Sequence, residues 1–249
     1  MPAPSSAPPA IVAHRGYSSA HRENSPAAWR AAVEAGADVV EADIRMTSDG
    51  VLVCCHDADL QRLAGRSEPI ADISAAELAA VTVDGEAVAP SLDILLATLP
   101  AGQAILFDVK DERPDLLDRL VAAADASGRR GLVFGLHTLA TVQHVRALTT
   151  AKILGLLAEP AQEDAFFAAG GDILRLWETD ATSALLGAVT GRGHPVWVTT
   201  GHHGTTRDVG EFDADALRRM TADGATGFLV NDPVAARLAL SSSLPEASA

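Results

Sequence analysis

The sequence has 249 residues, of which 48% are hydrophobic and 4% aromatic, and its formal net charge is −14 at pH 7. A chain of this length and composition can bury a large core and fits one α/β domain. The acidic balance and the scarcity of aromatic rings argue against a nucleic-acid partner, because phosphates require a basic surface and bases stack on aromatic rings. We therefore expect one domain over residues 11–241, between a disordered arm at residues 1–10 and a flexible tail at residues 242–249.

The cysteines and the N-terminal segment bear on the cellular compartment. Cys54 and Cys55 are adjacent, which disfavours a mutual disulfide and fits a reducing cytoplasm. The first ten residues have neither the basic start nor the apolar run of a signal peptide. No run of about 20 apolar residues occurs, so a membrane span is excluded. We expect a cytoplasmic protein, and the sequence carries no signal for its oligomeric state.

Short β-like apolar runs alternate along the chain with Ala-rich stretches of helical periodicity, a pattern that predicts βα units around a parallel sheet. Strands are predicted at residues 11–13, 39–43, 105–109, 132–134, 153–156, 173–176, 196–199 and 227–230. Helices are predicted at residues 26–35, 114–126, 139–148, 163–169, 182–189, 214–221 and 234–240. Eight strands close a barrel, so the predicted fold is an α/β TIM barrel, (β/α)8.

One further apolar run, residues 51–55, breaks this alternation. An Asp-Gly pair, Asp49-Gly50, separates it from the second strand and predicts a small hairpin there. With these two residues as the loop, the register places Asp43 opposite His56. Residues 57–103 then form an insertion after strand two at the mouth of the barrel, with helices expected near residues 75–80 and 92–99.

Polar residues follow several predicted strands, at the end where the active site of such a barrel lies. They are His14-Arg15-Gly16 after the first strand, His56-Asp57 after the hairpin strand and Asp108-Val109-Lys110 at the third. Taken singly, each motif is more often a turn or a solvated ion pair. Together they bring charged groups to the inside of an apolar barrel, where a metal or an anion would offset the cost of burying them.

The acidic residues among them predict a cation site. Glu41 and Asp43 are two residues apart in a strand and therefore face the same side. With Asp108 they form an oxygen-only ligand set suited to one divalent ion, Mg²⁺ or Ca²⁺, rather than to zinc. An anionic substrate would also meet the positive charges of Arg15 and Lys110.

The order and spacing of these motifs resemble the glycerophosphodiester phosphodiesterase family, TIM-barrel enzymes similar to phosphatidylinositol phospholipase C. The matching segments are Ile11-Val12-Ala13-His14-Arg15-Gly16, Glu23-Asn24-Ser25, Glu41-x-Asp43 and His56-Asp57. The resemblance is dense over residues 11–62 and thinner afterwards. It implies a phosphoric diester hydrolase of lipid metabolism, which uses a metal ion to cleave a small-molecule glycerophosphodiester into glycerol 3-phosphate and an alcohol.

The resemblance also implies roles for individual residues. His14 and His56 would act as general base and general acid, Glu23 would lie beside the site, and the carboxylates of the second and third strands would bind the metal. Ser25 replaces the family's Thr but still permits capping of the following helix. Asp108 stands where the family usually has Glu. Its side chain is one methylene shorter, so it would reach the metal only through water or a shifted strand.

Other residues predict where substrate selectivity lies. Arg175 near the end of the sixth strand and Trp197 in the seventh are candidates for substrate contact. After the seventh strand the family motif is altered, and the loop that follows contains His202 and His203, for which we favour a solvent-exposed position over substrate contact. The other histidines without a matching motif, to which we assign no role, are His137, His144 and His194.

Three alternatives remain beside hydrolysis of common glycerophosphodiesters. A phospholipase D-like lyase would stop at a cyclic phosphate, and a phosphodiesterase of secondary metabolism would take a specialised substrate. A catalytically silent barrel would only bind a phosphoester. The fate of the cyclic phosphate separates the first alternative from hydrolysis, and complete inactivity despite tight metal binding would favour the last.

Overall fold

The computed structural model describes residues 7–157, 159–202 and 204–241. Residues 1–6 of the predicted arm and the predicted tail at residues 242–249 lie outside these ranges. Ala10, which the sequence assigned to the arm, already belongs to the first strand.

The strands alternate with helices along most of the chain. The strands are β1 (Ala10–Ala13), β2 (Val39–Met46), β3 (Leu52–Cys54), β4 (Asp59–Leu60), β5 (Arg66–Pro69), β6 (Thr82–Val83), β7 (Glu86–Ala87), β8 (Ala104–Val109), β9 (Leu132–Leu136), β10 (Lys152–Gly155), β11 (Ile173–Trp177), β12 (Val196–Thr199) and β13 (Gly227–Val230). The helices are α1 (Pro26–Glu34), α2 (Gln61–Ala64), α3 (Ala75–Ala79), α4 (Leu92–Thr98), α5 (Pro114–Ala126), α6 (Leu139–Leu148), α7 (Glu163–Ala168), α8 (Ser183–Thr190), α9 (Ala214–Ala222) and α10 (Pro233–Ser241).

Eight parallel strands form a closed barrel, which confirms the predicted TIM fold. Their order around the barrel is β1, β13, β12, β11, β10, β9, β8 and β2, and β2 pairs again with β1. Each predicted barrel strand lies within about one residue of the observed one, except that β9 runs two residues further, to Leu136, and β2 runs on to Met46. Of the extra residues of β2, Ile44 pairs with both β8 and the hairpin strand β3, whereas Arg45 and Met46 pair with β3.

The apolar side chains form two layers because successive residues of a strand point to opposite faces. The layer inside the barrel includes Val12, Leu106 and Leu154. The layer between the strands and the helices is larger and includes Phe107 and Phe134, whose rings meet edge to face at 5.8 Å. Each buried Leu or Phe contributes about 1.5–3 kcal/mol relative to an exposed one, so this packing fixes the barrel on which the site is built.

The helices begin at the capping residues that the sequence offers. Ser25 accepts a hydrogen bond from the amide of Ala28, and Pro26 occupies the first turn of α1. Thr182, which we predicted inside α8, is its N-cap instead and accepts a hydrogen bond from Leu185. In the described part of the chain, no helix is long and apolar enough to cross a bilayer.

The predicted hairpin is present, but its predicted register is wrong by one residue. Thr47 pairs with Val51, since its amide donates to the Val51 carbonyl, and the loop therefore has three residues instead of two. Gly50 ends this loop with a φ of +84°, a left-handed conformation typical of three-residue hairpin loops. As a result Asp43 lies opposite Cys55, whose amide donates to the Asp43 carbonyl at 3.1 Å, and not opposite His56.

The insertion after β3 is more structured than the sequence indicated. The two predicted helices are present as α3 and α4. Two short antiparallel ribbons, β4 with β5 and β6 with β7, and the four-residue helix α2 were not predicted. Their residues lack an alternating apolar pattern, and they are held by a small separate core that includes Leu60, Ile70 and Leu78.

Candidate active site

Three carboxylates meet inside the barrel at the carboxyl ends of β2 and β8. The parallel register places Asp43 directly beside Asp108, and Glu41 lies two residues earlier on the same face of β2. One carboxylate oxygen from each of the three residues lies within 4.8 Å of the others. Glu41 and Asp43 are completely buried, and Asp108 is nearly so. The structure therefore brings together the three residues that the sequence predicted as metal ligands.

Two cations accompany these carboxylates. The Lys110 ammonium lies 2.7 Å from Oδ2 of Asp108 and 3.2 Å from Oδ1 of Asp43. Nε of Arg15 lies 3.2 Å from the other oxygen of Asp43. Burial alone would raise the pKa of Asp43, but Lys110 and Arg15 outweigh it and the pKa is lowered. Asp43 is therefore held as a carboxylate in the interior of the barrel.

For Glu41, burial and the nearby charges shift the carboxyl pKa in the opposite direction to that of Asp43. Its Oε2 accepts a hydrogen bond from the Arg15 amide at 2.5 Å, while its Oε1 is enclosed without a hydrogen-bond partner in the described part of the chain. Burial, followed by the charges of Asp43 and Asp108, raises the pKa of Glu41 well above its usual range. An additional positive charge beside Glu41 would give the buried Oε1 a partner and would offset the repulsion between Glu41 and the carboxylates of Asp43 and Asp108.

These observations test whether a divalent ion fits. Buried oxygens of Glu41 and Asp43 lack hydrogen-bond donors, and the donor set contains only oxygen, as Mg²⁺ and Ca²⁺ prefer. Asp108 is less available, because His137 binds its Oδ1 at 3.0 Å and Lys110 binds its Oδ2. The residues fit such an ion, and Glu41, whose Oε1 has no hydrogen-bond partner among the described residues, is the freest of the three ligands.

His14 follows β1 and lies beside Asn231, which follows β13. Its Nδ1 is 2.9 Å from Oδ1 of Asn231, whose Nδ2 donates to the carbonyl of Val209 at 2.7 Å. Because the second bond fixes which end of the Asn231 amide faces His14, Nδ1 of His14 carries the hydrogen and Nε2 keeps its lone pair. Burial, reinforced by the charge of Arg15, lowers the pKa of His14 to about 4. His14 is thus a neutral imidazole near pH 7.

His56 ends the hairpin and is held by a chain of charged groups. Its Nδ1 donates to Oδ1 of Asp57 at 2.7 Å, and Oδ2 of Asp57 binds Nε of Arg62 at 2.6 Å. Arg62 also binds both oxygens of Glu23, which in turn binds Arg15 at 3.1 Å. The His56 side chain is 37% exposed, so its Nε2 can meet a ligand from solvent. Glu23, predicted to lie beside the site, thus connects Arg15 after β1 with the chain of Arg62, Asp57 and His56.

Arg175 lies inside the barrel on β11. It is 7% exposed, and its guanidinium carbon lies 4.2 Å from the ring centroid of Trp177, which is two residues further along the same face. Nε and Nη1 of Arg175 are enclosed without a hydrogen-bond partner among the described residues. The predicted substrate-contact residue is therefore near the site, and Trp177 lies closer to the mouth than Arg175 does.

Trp197, by contrast, does not reach this end of the barrel. It is the second residue of β12, pairs with Arg175 and Gly227, and packs inside the barrel. With the first residues of neighbouring strands, including Val39 and Ala104, it lines the opening at the amino ends of the strands. Active sites of this fold lie at the other end, so we leave Trp197 out of the candidate site.

In the loop after β12, the position of His202 differs from the solvent-exposed position that we favoured from the sequence. The His202 ring packs against Trp177 at 4.8 Å between centroids and is only half-exposed, so it borders the mouth of the barrel. His203 lies outside the described residues. The loop is attached to β11 through Glu178, which accepts hydrogen bonds from the Gly201 amide and from Arg207.

Sequence reasoning assigned no role to three residues that contact the candidate machinery. Asn24 donates to Asp43 at 2.7 Å and accepts from its amide, Asn231 holds His14, and His137 binds Asp108. Asn231 and His137 each directly follow a barrel strand, and that position was the available signal. Asn24 has a positive φ of 50°, a local conformation that the sequence gives no means to place.

The comparisons with known proteins agree with this geometry. Residues 14–113 match the model of the glycerophosphoryl diester phosphodiesterase family. The family resemblance is confirmed. The matched range contains all five catalytic or metal-binding candidates, which are His14, Glu41, Asp43, His56 and Asp108.

Curated relatives match over part of their length. A probable glycerophosphodiester phosphodiesterase 1 of Mycobacterium tuberculosis is 44% identical over 70 residues, which is 28% of this chain and 26% of that protein. A glycerophosphodiester phosphodiesterase of Caldanaerobacter subterraneus is 38% identical over 68 residues, 27% of this chain and 28% of that protein. The matches thus span about a quarter of the length of these relatives.

Solved structures of proteins with this family name share the whole barrel. That of Thermotoga maritima has a TM-score of 0.75 at 23% identity and covers 90% of this chain and 95% of its own. A putative family protein of Silicibacter pomeroyi has a TM-score of 0.80 at 20% identity, covering 96% and 95%. A phosphodiesterase of Oleispira antarctica, solved with the product sn-glycerol-3-phosphate, has a TM-score of 0.75 at 18% identity, covering 94% and 97%.

Proposed function

We propose that this protein hydrolyses glycerophosphodiesters to glycerol 3-phosphate and an alcohol, with a divalent ion held by Glu41, Asp43 and Asp108. The observation that carries the proposal is the placement of His14 and His56 around the buried carboxylates. The amide of Arg15, which follows His14, donates to Glu41, and the amide of Cys55, which precedes His56, donates to the Asp43 carbonyl, so both histidines border the same cluster. The product-bound relative from Oleispira antarctica supports this substrate class.

The two histidines have complementary positions for moving protons. His14 is neutral and presents the lone pair of Nε2, so it takes the proton from the attacking hydroxyl. His56 is anchored through Nδ1 to Asp57 and gives a proton from Nε2 to the departing alcohol oxygen. Following the family resemblance, the attacking group is a neighbouring hydroxyl of the glycerol part. Water then opens the resulting cyclic phosphate, with the proton roles reversed.

Charge on the phosphate is met by groups from three neighbouring strands. Arg15 and Lys110 lie at the carboxylates and offer N–H donors to the non-bridging oxygens. A bound Mg²⁺ or Ca²⁺ would supply further neutralisation of the charge that develops there. Asp108 is bound by His137, and Asp43 is bound by Asn24 and flanked by Arg15 and Lys110, so Glu41 is the freest holder of the ion.

The decisive experiment measures glycerol 3-phosphate released from glycerophosphocholine and glycerophosphoethanolamine, two head groups of deacylated phospholipids. Parallel reactions contain Mg²⁺, Ca²⁺ or a chelator. We expect release that depends on the ion and is lost in His14→Ala and in His56→Ala, each of which keeps the circular dichroism of the native fold. Absence of release from both diesters under every condition would contradict this proposal.

The same reactions distinguish the alternatives when they are followed by ³¹P NMR. A cyclic phosphate that persists identifies a lyase, whereas its conversion to the monoester identifies a hydrolase. Calorimetry with glycerol 3-phosphate then separates an inactive phosphoester-binding barrel from one with a specialised diester substrate. The free, buried thiols of Cys54 and Cys55 support a cytoplasmic location, which cell fractionation tests.

A further inference from the structure

Arg175 is a buried cation whose charge is not matched locally. Its Nε and Nη1 find no hydrogen-bond acceptor in the described part of the chain, and its guanidinium rests on the ring of Trp177. Burial lowers the pKa of Arg175 to about 10, although the charges of Asp108 and Asp180 act in the opposite direction. The side chain therefore remains positive near pH 7. Enclosing such a charge without an anion costs free energy.

The other cations inside the barrel differ from Arg175 in this respect. Lys110 binds Asp108 and Asp43, and Arg15 binds Glu23 and lies beside Asp43. Their positive charge is already balanced by carboxylates. Nε of Arg15 also lacks a hydrogen bond, but it lies 3.2 Å from a carboxylate oxygen of Asp43. Of these three cations, Arg175 differs in having no carboxylate partner in an ion pair among the described residues.

The position of Arg175 separates it from the groups that would hold the scissile phosphate. Those groups are on β1, β2 and β8, whereas β11 stands four strands from β2 in either direction around the barrel. A diester whose phosphate lies at the carboxylate wall would extend one of its two arms toward Arg175. Toward the mouth, the lining beyond Arg175 continues through Trp177, on which its guanidinium rests, and through the His202 ring that packs against Trp177.

We propose that Arg175 binds a second anionic group of the substrate, a carboxylate or a phosphate carried by its alcohol part. The glycerol arm carries only hydroxyls, so the extra charge belongs to the other arm. This inference rests on the proposed phosphodiesterase function and makes acidic alcohols the preferred leaving groups. A guanidinium suits this task because its planar N–H donors match the oxygens of a carboxylate or phosphate.

The test uses two diesters of glycerol phosphate, one with glyceric acid and one with glycerol, which differ by a carboxylate in place of a CH₂OH group. They are compared with the native protein, Arg175→Met, Arg175→Lys and the control Arg192→Met. Arg192 is an exposed arginine paired with Glu163 and Asp164. The readouts are kcat/KM with Mg²⁺, Kd by calorimetry in chelator, and the melting temperature.

We expect the native protein and Arg192→Met to prefer the carboxylate diester by about tenfold in kcat/KM and Kd. Arg175→Met loses this preference, because its kcat/KM toward the carboxylate diester falls about tenfold more than its kcat/KM toward the neutral diester, and Arg175→Lys keeps part of the preference. Without ligand, Arg175→Met melts at a higher temperature than the native protein, because it removes an unmatched buried charge. The carboxylate diester raises the melting temperature of the native protein more than that of this variant.

Several results would overturn the inference. They are the absence of a preference in the native protein, an equal loss toward both diesters in Arg175→Met, or a lower melting temperature of that variant. Failure of the proposed function looks different. If neither diester is cleaved but calorimetry still shows a preference that depends on Arg175, the anion site stands and the phosphodiesterase activity does not. If the native protein instead cleaves both diesters at equal rates, the phosphodiesterase activity stands and the anion site does not.

Discussion

Nδ1 of His14 and Oδ1 of Asn231 form a hydrogen bond of 2.9 Å between residues that are 217 positions apart. The bond joins the ends of β1 and β13, which are neighbours in the barrel. Since the other end of the Asn231 amide is fixed by Val209, this contact sets both the tautomer and the direction of the His14 ring.

Replacing Asn231 should impair catalysis through His14. Asn231→Leu removes the acceptor, so the neutral ring is no longer held with its hydrogen on Nδ1. We expect kcat to fall by about 10–100-fold, less than in His14→Gln, where the base itself is gone. ¹⁵N NMR of labelled histidine reports the tautomer directly. A variant with unchanged kcat and unchanged tautomer would refute this role.

The buried position of His14 predicts an acid-sensitive fold. The unfolded chain binds a proton at His14 as the pH falls below 6.5, but the folded protein does so only near pH 4. Above pH 6.5 the titration of His14 does not lower the free energy of unfolding. As the pH falls from 6.5 toward 4, the unfolded chain gains a proton that the folded protein does not, and the free energy of unfolding decreases by up to about 3 kcal/mol.

Urea unfolding of the native protein and of His14→Gln at about pH 7 and about pH 4.5 isolates this contribution. The native protein should lose more stability between the two conditions than the variant does. Other titrating groups, including Glu41 with its raised pKa, affect both proteins and cancel in the comparison. Equal losses would mean that His14 titrates alike in the folded and unfolded states.

Metal binding should expel a proton from Glu41. Burial and the neighbouring carboxylates raise the pKa of Glu41, and a ligand carboxyl must be ionised to bind a cation. Calorimetry with Mg²⁺ or Ca²⁺ in buffers of different ionisation heat measures this release. We expect Glu41→Gln to bind the ion at least about tenfold more weakly and without release, whereas Asp118→Asn, a change at an exposed acid, has no effect. An unchanged titration in Glu41→Gln would exclude the proposed ligand set.

Arg62 should act on turnover through Asp57 and His56. It binds Asp57 at 2.6 Å and is 48% exposed, so its pairs contribute little to stability. We expect Arg62→Met to lower kcat by about three- to tenfold with KM and melting temperature nearly unchanged. Arg66→Met is the matched control, because Arg66 lies in the same insertion and pairs with the surface residue Glu68. Equal kinetics of both variants would remove Arg62 from the positioning of His56.

Gly227 should be required for packing at the far end of the barrel. A Cβ at this position would lie 2.6 Å from Cδ1 of Trp197. We expect Gly227→Ala to lower the free energy of unfolding by about 1–3 kcal/mol. Gly187→Ala in α8 meets no atom within 4 Å and should raise it by about 0.5–1 kcal/mol. Urea denaturation of the two variants tests this contrast in sign.

The barrel strands and the carboxylate cluster could be predicted because their signals are local or periodic. Glu41 and Asp43 share a face by the two-residue repeat of a strand, and Asp108 reaches them because parallel strands end at the same edge. The hairpin register could not be predicted in the same way. Asp-Gly is compatible with loops of two or three residues, and the choice depends on bonds made by the Thr47 side chain to Asp49 and Val51.

The remaining errors concern side chains whose position depends on distant parts of the chain. Trp197 has the sequence context of a strand end, but only the register with Gly227 shows that it faces the opposite opening. His137 had no motif, and its bond to Asp108 arises because β8 and β9 are neighbours. Sequence patterns locate strands well, whereas the depth of a side chain in the barrel follows from the stagger between them.

The pairing of β1 with β13 has a consequence for how the protein is made. Glu41, Asp43 and His56 leave the ribosome early, but β13 and Asn231 are synthesised more than 170 residues after His56. Until β13 arrives, β1 has an unpaired edge and the base has no partner to orient it. On the proposed mechanism, a nascent chain that already contains most of the site therefore lacks an oriented base until translation has delivered the strand that closes the ring.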